Sequence, residues 1–307
     1  MDESDNKKNN EYLEEGIINI EDLSRDEYIS VLEQLHRWLI DIALEVKRIC
    51  EKCKIKYFLI GGTLLGSVRH HGFIPWDDDM DIGLLRADYN AFIHACHNEL
   101  NEKFELITTE IENYGLPYAK IQIRNTLFLE MNAPKLSCGN GISIDIFPID
   151  KIPNSKLKRD IQAKLLGVTR LMLLKKCGYK GLRNSVSFKS KVVDLLVSTL
   201  SKRNIEKFMY MISTRYNKRN TEYYMNSGSA YVYGKEIFPA VSVEGELPSI
   251  TFEGYMFMCP KNGEIILELL YGDYMRLPPE DKRYNRHGLI CISFGEYGKG
   301  KYKRRYI

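Results

Sequence analysis

The sequence predicts an α/β (α+β) fold, a mixed sheet flanked by helices, with a basic helical addition behind it. Three observations carry that expectation. Short β-prone runs alternate with helical periods up to about residue 150, aspartates are set among them at strand spacing, and residues 151 to 220 turn abruptly basic.

The elements follow in order. Residues 1–22 are polar and acidic with no apolar h-region, so a disordered opening segment without a secretory signal is expected. Ser24-x-x-Glu27 is a capping box. The run behind it, Tyr28, Val31, Leu32, Leu35, Trp38, Leu39, Ile42, Ala43 and Val46, has the three- and four-residue spacing of a helix that covers one sheet face. Beyond it the pattern predicts a strand over 55–60, a helix over 63–69, a strand over 80–84 and a helix over 86–100. Strands over 104–108, 118–124, 127–131 and 142–147 complete a core spanning 23–150, and residues 151–307 finish the domain.

Composition sets limits. A chain of 307 residues, 44% hydrophobic and 28% charged, can bury one large core, and no stretch approaches a membrane span, which suits a cytoplasmic enzyme. Its seven cysteines are odd in number and scattered, as reduced thiols are. Cys50-x-x-Cys53 has no second pair and reads as two ordinary cysteines, while His94 and His97 have no acid beside them and read as residues that face solvent or pack. Residues 151–220 hold 18 Lys and Arg against 3 Asp and Glu, a net of +15, so the rest of the +3 chain carries −12. That segment is either a solvated face or a peripheral contact with anionic membrane; residues 299–305 repeat the bias, and no nucleic-acid motif accompanies it.

The chemistry concentrates in YFLIGGTLLGSVRHHGFIPWDDDMDIG, Tyr57 to Gly83. If residues 80–84 are extended, Asp79 and Asp81 leave one face of the strand, where two carboxylates can share a hard cation such as Mg²⁺ or Mn²⁺. Gly61 and Gly62 close a β-prone run and open a helix, whose N-terminal N–H groups suit phosphate, with Thr63 as a hydroxyl donor and Arg69 as a second contact. Gly141 to Pro148 alternates apolar with small or polar residues, which puts a third acid, Asp145, on the polar face of another strand. Three acids on two strands can serve phosphoryl or nucleotidyl transfer.

These residues resemble the LicD family of phosphocholine and related phospho-alditol transferases, within the nucleotidyltransferase-fold superfamily that includes the fukutin-related proteins. The resemblance rests on residues 61–83, on Tyr118-Ala119-Lys120 with Asn125-Thr126, and on ISIDIFPID at 142–150. It continues in Phe252-Glu253-Gly254, Cys259-Pro260-Lys261-Asn262 and Tyr271 to Met275, closed by His287; Ser67 and His71 depart from the family pattern, which often has Ala and Lys there.

The resemblance implies a nucleotidyltransferase-like sheet and a reaction in which a hydroxyl of a glycan or lipid-linked sugar attacks the distal phosphate of CDP-choline or another CDP-alcohol, releasing CMP. It implies Asp79 and Asp81 as metal ligands, Asp77 as a ligand or a residue just behind the ligands, and Asp145 as a ligand or a general base. Gly61, Gly62, Thr63 and Lys120 would be phosphate contacts, and Arg69 would stabilise charge. Candidate rings for a choline cation are Trp76, Tyr114, Tyr118, Tyr223, Tyr224, Tyr231 and Tyr233. Two rival readings use the same apparatus: transfer of NMP from an NTP, marked by pyrophosphate release, and a non-catalytic binding protein of the same fold, against which three intact acids argue.

Overall fold

The computed structural model describes residues 16–134, 136–179, 194, 197–228, 236–283 and 288–295. His287, Tyr231, Tyr233 and residues 299–305 lie outside them, as do residues 1–15 of the expected disordered segment. Within the rest of that segment, Ile18–Asn19 forms a short strand, β1.

Helix α1, Arg25–Cys53, starts at the capping box read from the sequence: Ser24 Oγ accepts from Glu27 N–H, and the Glu27 carboxylate accepts from Ser24 N–H at 2.9 Å. It ends where Lys54 turns left-handed at φ 57°. The core then runs through β2 Phe58–Leu59, α2 Gly61–Arg69, β3 Asp81–Leu85, α3 Arg86–Glu99, β4 Phe104–Ile107, β5 Ala119–Ile123, β6 Leu127–Glu130 and β7 Ser143–Ile152. The main sheet has seven strands in the order β2-β3-β7-β5-β4, with β8 Tyr223–Asn226 and β9 Ile237–Pro239 added beyond the far half of β7. That addition explains why β7 outlasts the expected 142–147: its second half pairs antiparallel with β8, Ile149 opposite Asn226. The expected strand over 55–60 contracts to two residues, because only Phe58 and Leu59 find ladder partners on β3.

Alternation decides which side chains go where. On one face, Ile82, Leu84, Ile121, Ile144 and Ile146 join Leu35, Leu39, Ile42 and Val46 of α1 and Phe92 of α3 in the main core. On the other, Phe147 and Ile149 pack with Phe58, Ile60 and Phe238.

Among the described residues the basic addition includes two packed helices, α4 Lys156–Lys176 and α5 Lys202–Thr214, sharing a small core of Leu166, Leu173, Ile205, Met209 and Ile212. Asn217, just beyond α5, joins it to a buried ion pair between α3 and β7. Arg86, at the start of α3, donates from Nε to Asp150 Oδ1 at 2.9 Å, and Asn217 Nδ2 and Ser227 Oγ donate to the same carboxylate at 2.7 and 2.6 Å.

The C-terminal part contributes α6 Ala240–Val243, the hairpin β10 Ser249–Phe252 and β11 Tyr255–Met258, helix α7 Gly263–Tyr271, and β12 Leu289–Ser293, which lies between β1 and β6. Hairpin and α7 both pack on α2. All seven cysteines are free thiols, Cys50 buried and Cys53 exposed; His94 and His97 both face solvent. Among the described residues no helix is long and apolar enough to cross a membrane.

Candidate active site

The site begins as a row across three adjacent strands. In the parallel β3–β7 ladder Asp81 stands opposite Asp145, and in the antiparallel β5–β7 ladder Lys120 stands opposite the same Asp145. Paired positions share a face, so Asp81, Asp145 and Lys120 line up on the face away from α1. Lys120 Nζ lies 2.9 Å from Asp145 Oδ1. Burial draws the Lys120 ammonium down, but the Asp145 and Glu130 charges more than offset it, so its pKa stands above that of an ordinary lysine. Tyr118, two residues earlier on the same face, stands near Asp145 and packs on Phe147 with ring centroids 4.3 Å apart.

The start of α2 leans on the row. Gly61 has φ +55°, and a Cβ there would lie 2.8 Å from Asp81 Oδ2; a Cβ on Gly62 would lie 2.7 Å from Asp77 Oδ2. Only glycines let the helix N-terminus come this close to two carboxylates. Thr63, expected as a hydroxyl donor to phosphate, is buried, and its Oγ1 accepts from Asp81 N–H at 2.8 Å; it fixes the start of β3 against α2. Arg69, at the other end of α2, donates to the Tyr274 carbonyl at 2.8 Å and to His70 Nε2 at 3.0 Å, which ties the Tyr271–Met275 segment to the site.

Asp77, Asp78 and Asp79 present carboxylate oxygens within 4.8 Å of one another, and Asp78 is almost fully buried. Asp78 belongs to the acidic run read from the sequence but was not among the expected ligands. Asp81 and Asp145 stand beside the cluster, outside that spacing. Burial, then the charges of Asp79 and Asp145, push the Asp81 carboxyl well above the ordinary carboxylate range. Negative charge gathered on oxygen ligands, half-buried and next to a helix N-terminus, is a donor set that fits a hard divalent cation.

Several residues support the site through contacts that the sequence did not show. His36 of α1 hydrogen-bonds the Asp77 carbonyl through Nε2 at 2.7 Å and stacks on Phe73 with centroids 4.1 Å apart; burial holds its pKa low despite that bond, favouring the neutral ring. Glu253, φ +51°, accepts from Phe73 N–H at 3.0 Å, and its own N–H donates to the His71 carbonyl at 3.0 Å, so the Phe252-Glu253-Gly254 motif buttresses the loop that carries the aspartates. Asn125, φ +58°, turns the chain between β5 and β6, and the Thr126 hydroxyl joins Ile123 to Ile142 there. Arg170 of α4 stands near Tyr118, and burial lowers its pKa.

Of the rings named as choline candidates, Tyr118 stands near Asp145. Tyr114 is buried with its hydroxyl on the Tyr118 carbonyl, Tyr224 donates to Glu244, Tyr223 lies under Arg159, and Trp76 under Arg283. A cleft opens beside Lys120, lined by Gln122, Phe128, Glu130, Ser143 and Tyr179.

Gly61→Ala is expected to cost about 1–2 kcal/mol for the left-handed backbone alone and, by displacing Asp81, to lower turnover far more than stability. A thermal melt and a turnover assay on the same sample check this; unimpaired turnover would show that the approach of α2 to Asp81 is unimportant.

Acids on two neighbouring strands, opposite a glycine-opened helix, are an arrangement that suits phosphoryl or nucleotidyl transfer. Comparison with known proteins agrees. The sequence model described as LicD/FKTN/FKRP, nucleotidyltransferase domain, matches residues 54–165. Lipopolysaccharide cholinephosphotransferase LicD of Haemophilus influenzae is 30% identical over 249 residues, 78% of this chain and 89% of that protein. Human ribitol 5-phosphate transferase FKRP is 42% identical over 52 residues, 17% of this chain and 10% of that one, and an uncharacterised Rickettsia prowazekii protein is 46% identical over 50 residues, 16% and 19%. The chain belongs to the LicD family.

Proposed function

We propose that the protein is a metal-dependent phosphotransferase that moves phosphocholine, or a related phospho-alcohol, from a CDP-activated donor to a hydroxyl of a glycan or lipid-linked sugar, releasing CMP. The row Asp81–Asp145–Lys120 against the Gly61–Gly62 helix start carries the reading, because it sets acids, a cation and phosphate-binding N–H groups around one point. The names of the Haemophilus influenzae and human relatives, a cholinephosphotransferase and a ribitol 5-phosphate transferase, support the class of group moved.

Asp77, Asp79, Asp81 and Asp145 would hold Mg²⁺ or Mn²⁺, with Asp78 as the further acid of the cluster. Such a cation neutralises the donor diphosphate and the leaving CMP. The chain does the rest. N–H groups at the start of α2 receive phosphate oxygens, and Arg69 adds positive charge from its far end. The acceptor hydroxyl gives its proton to Asp145 while its oxygen bonds to phosphorus; Lys120, kept cationic, passes from Asp145 to the phosphate as the bond to CMP breaks. The alcohol lies in the cleft beside Lys120, where Glu130 with the Phe128 and Tyr179 rings suits a quaternary ammonium.

Calorimetric titration with CDP-choline, CDP-glycerol, CDP-ribitol and CTP, each with and without Mg²⁺, tests the reading. The expected result is metal-dependent binding of a CDP-alcohol, with Glu130→Gln weakening CDP-choline on the order of tenfold and the uncharged alcohols little. Binding of CTP alone, with pyrophosphate released on turnover, would replace this reading by nucleotidyl transfer.

A further inference from the structure

Helix α4 presents two faces. Gln162, Leu166, Thr169 and Leu173 are buried, and Gln162 Nε2 donates to the Ile212 carbonyl of α5 at 3.0 Å, so the rotation of the helix is fixed. Away from that face, Leu157, Ile161, Leu165 and Val168 are 71%, 52%, 42% and 43% exposed. Spacings of four, four and three put them in one stripe, about 16 Å long at 1.5 Å per residue. Periodicity sets Lys158 on one flank and Lys164 on the other, and Lys156 opens the helix; among the described residues none of the three forms an ion pair. On α5, Phe208 and Met211 are exposed as well.

We propose that this face of α4 docks the protein on an anionic lipid surface, the four aliphatic side chains entering the interface while Lys156, Lys158 and Lys164 meet lipid phosphates. An aliphatic stripe between lysines is the pattern of a helix lying in a membrane interface, where long lysine stems keep the charge at headgroup level. The sequence of the segment favours the same partner, since residues 151–220 carry a net +15. A second copy is a poorer occupant, because a twofold contact on this stripe would bring the same lysines against one another. The inference is independent of the chemistry proposed for the site.

The test is sedimentation of the full chain with vesicles of phosphatidylcholine, with and without phosphatidylglycerol, beside light scattering of the protein alone. Wild type is expected to pellet with the phosphatidylglycerol vesicles and to be released by salt. The combined change Leu157→Gln, Ile161→Gln, Leu165→Gln and Val168→Gln, and separately Lys158→Glu with Lys164→Glu, should each weaken partitioning by about tenfold or more with the melting temperature unchanged. Failure of wild type to bind, or binding unaltered in both variants, would overturn the proposal. So would a wild-type dimer that the four-glutamine variant dissociates, which would make the stripe a face between copies.

Discussion

Asp81→Asn is expected to abolish turnover, by about 10³-fold or more, while the protein melts at the same temperature or slightly higher. The two effects have one cause. Asp81 is held against Gly61 beside Asp79 and Asp145, and burial and those like charges push its carboxyl well above the ordinary range. A negative charge kept in such surroundings costs stability, and the amide removes that cost with little change of shape. What the amide also removes is charge facing the phosphates, which the proposed chemistry needs. Asp79→Asn should behave alike. CMP release at saturating donor, with a thermal melt of the same preparation, reads both quantities, and full activity in either variant would sink the assignment of these acids to a cation.

Asp78→Asn decides between two placements. The carboxylates of Asp77, Asp78 and Asp79 lie together, whereas sequence alternation favours Asp79 with Asp81. If Asp78→Asn keeps turnover and Asp81→Asn loses it, the alternation picks the ligands. The reverse pattern would put the cation in the loop cluster, with Asp81 acting through its neighbours.

What could be read from the sequence was local, and what could not was long-range. The capping box at Ser24, the glycine-opened helix and the polar face of β7 each depend on residues a few positions apart, and each took the expected form. Lys120 was readable as a cation near phosphate but not as the partner of Asp145, because that contact depends on the β5–β7 register. The supports of the aspartate loop were hidden for the same reason: His36 reaches Asp77 across 41 residues of chain and Glu253 reaches Phe73 across 180. Thr63 shows the remaining kind of gap. A hydroxyl beside a phosphate-binding turn looks like a ligand in the sequence, yet burial commits it to the backbone of Asp81.

Asp150→Ala is expected to destabilise the fold by about 3–5 kcal/mol without touching the proposed chemistry. Asp150 is 1% exposed, and its carboxylate takes hydrogen bonds from Arg86, Asn217 and Ser227, which come from α3, from the end of the basic addition and from the residue after β8. Alanine would strand the Arg86 guanidinium in a buried place, the costliest way to break an ion pair. Arg86→Met with Asp150→Leu should therefore lose much less than the sum of the single changes. Burial pushes the Asp150 carboxyl up, but the Arg86 hydrogen bond and charge, with Asn217 and Ser227, outweigh it and leave the pKa below the ordinary value. A depressed carboxylate stabilises the fold above its unfolded pKa of about 3.9, and that contribution fades as pH falls through the lower folded value. Urea unfolding of wild type and Asp150→Asn should thus show a gap that is constant near neutral pH and narrows below about pH 4. A gap of under about 1 kcal/mol at pH 7 would mean that water replaces the carboxylate beside Arg86 and that the basic helices are held to the sheet by their apolar contacts.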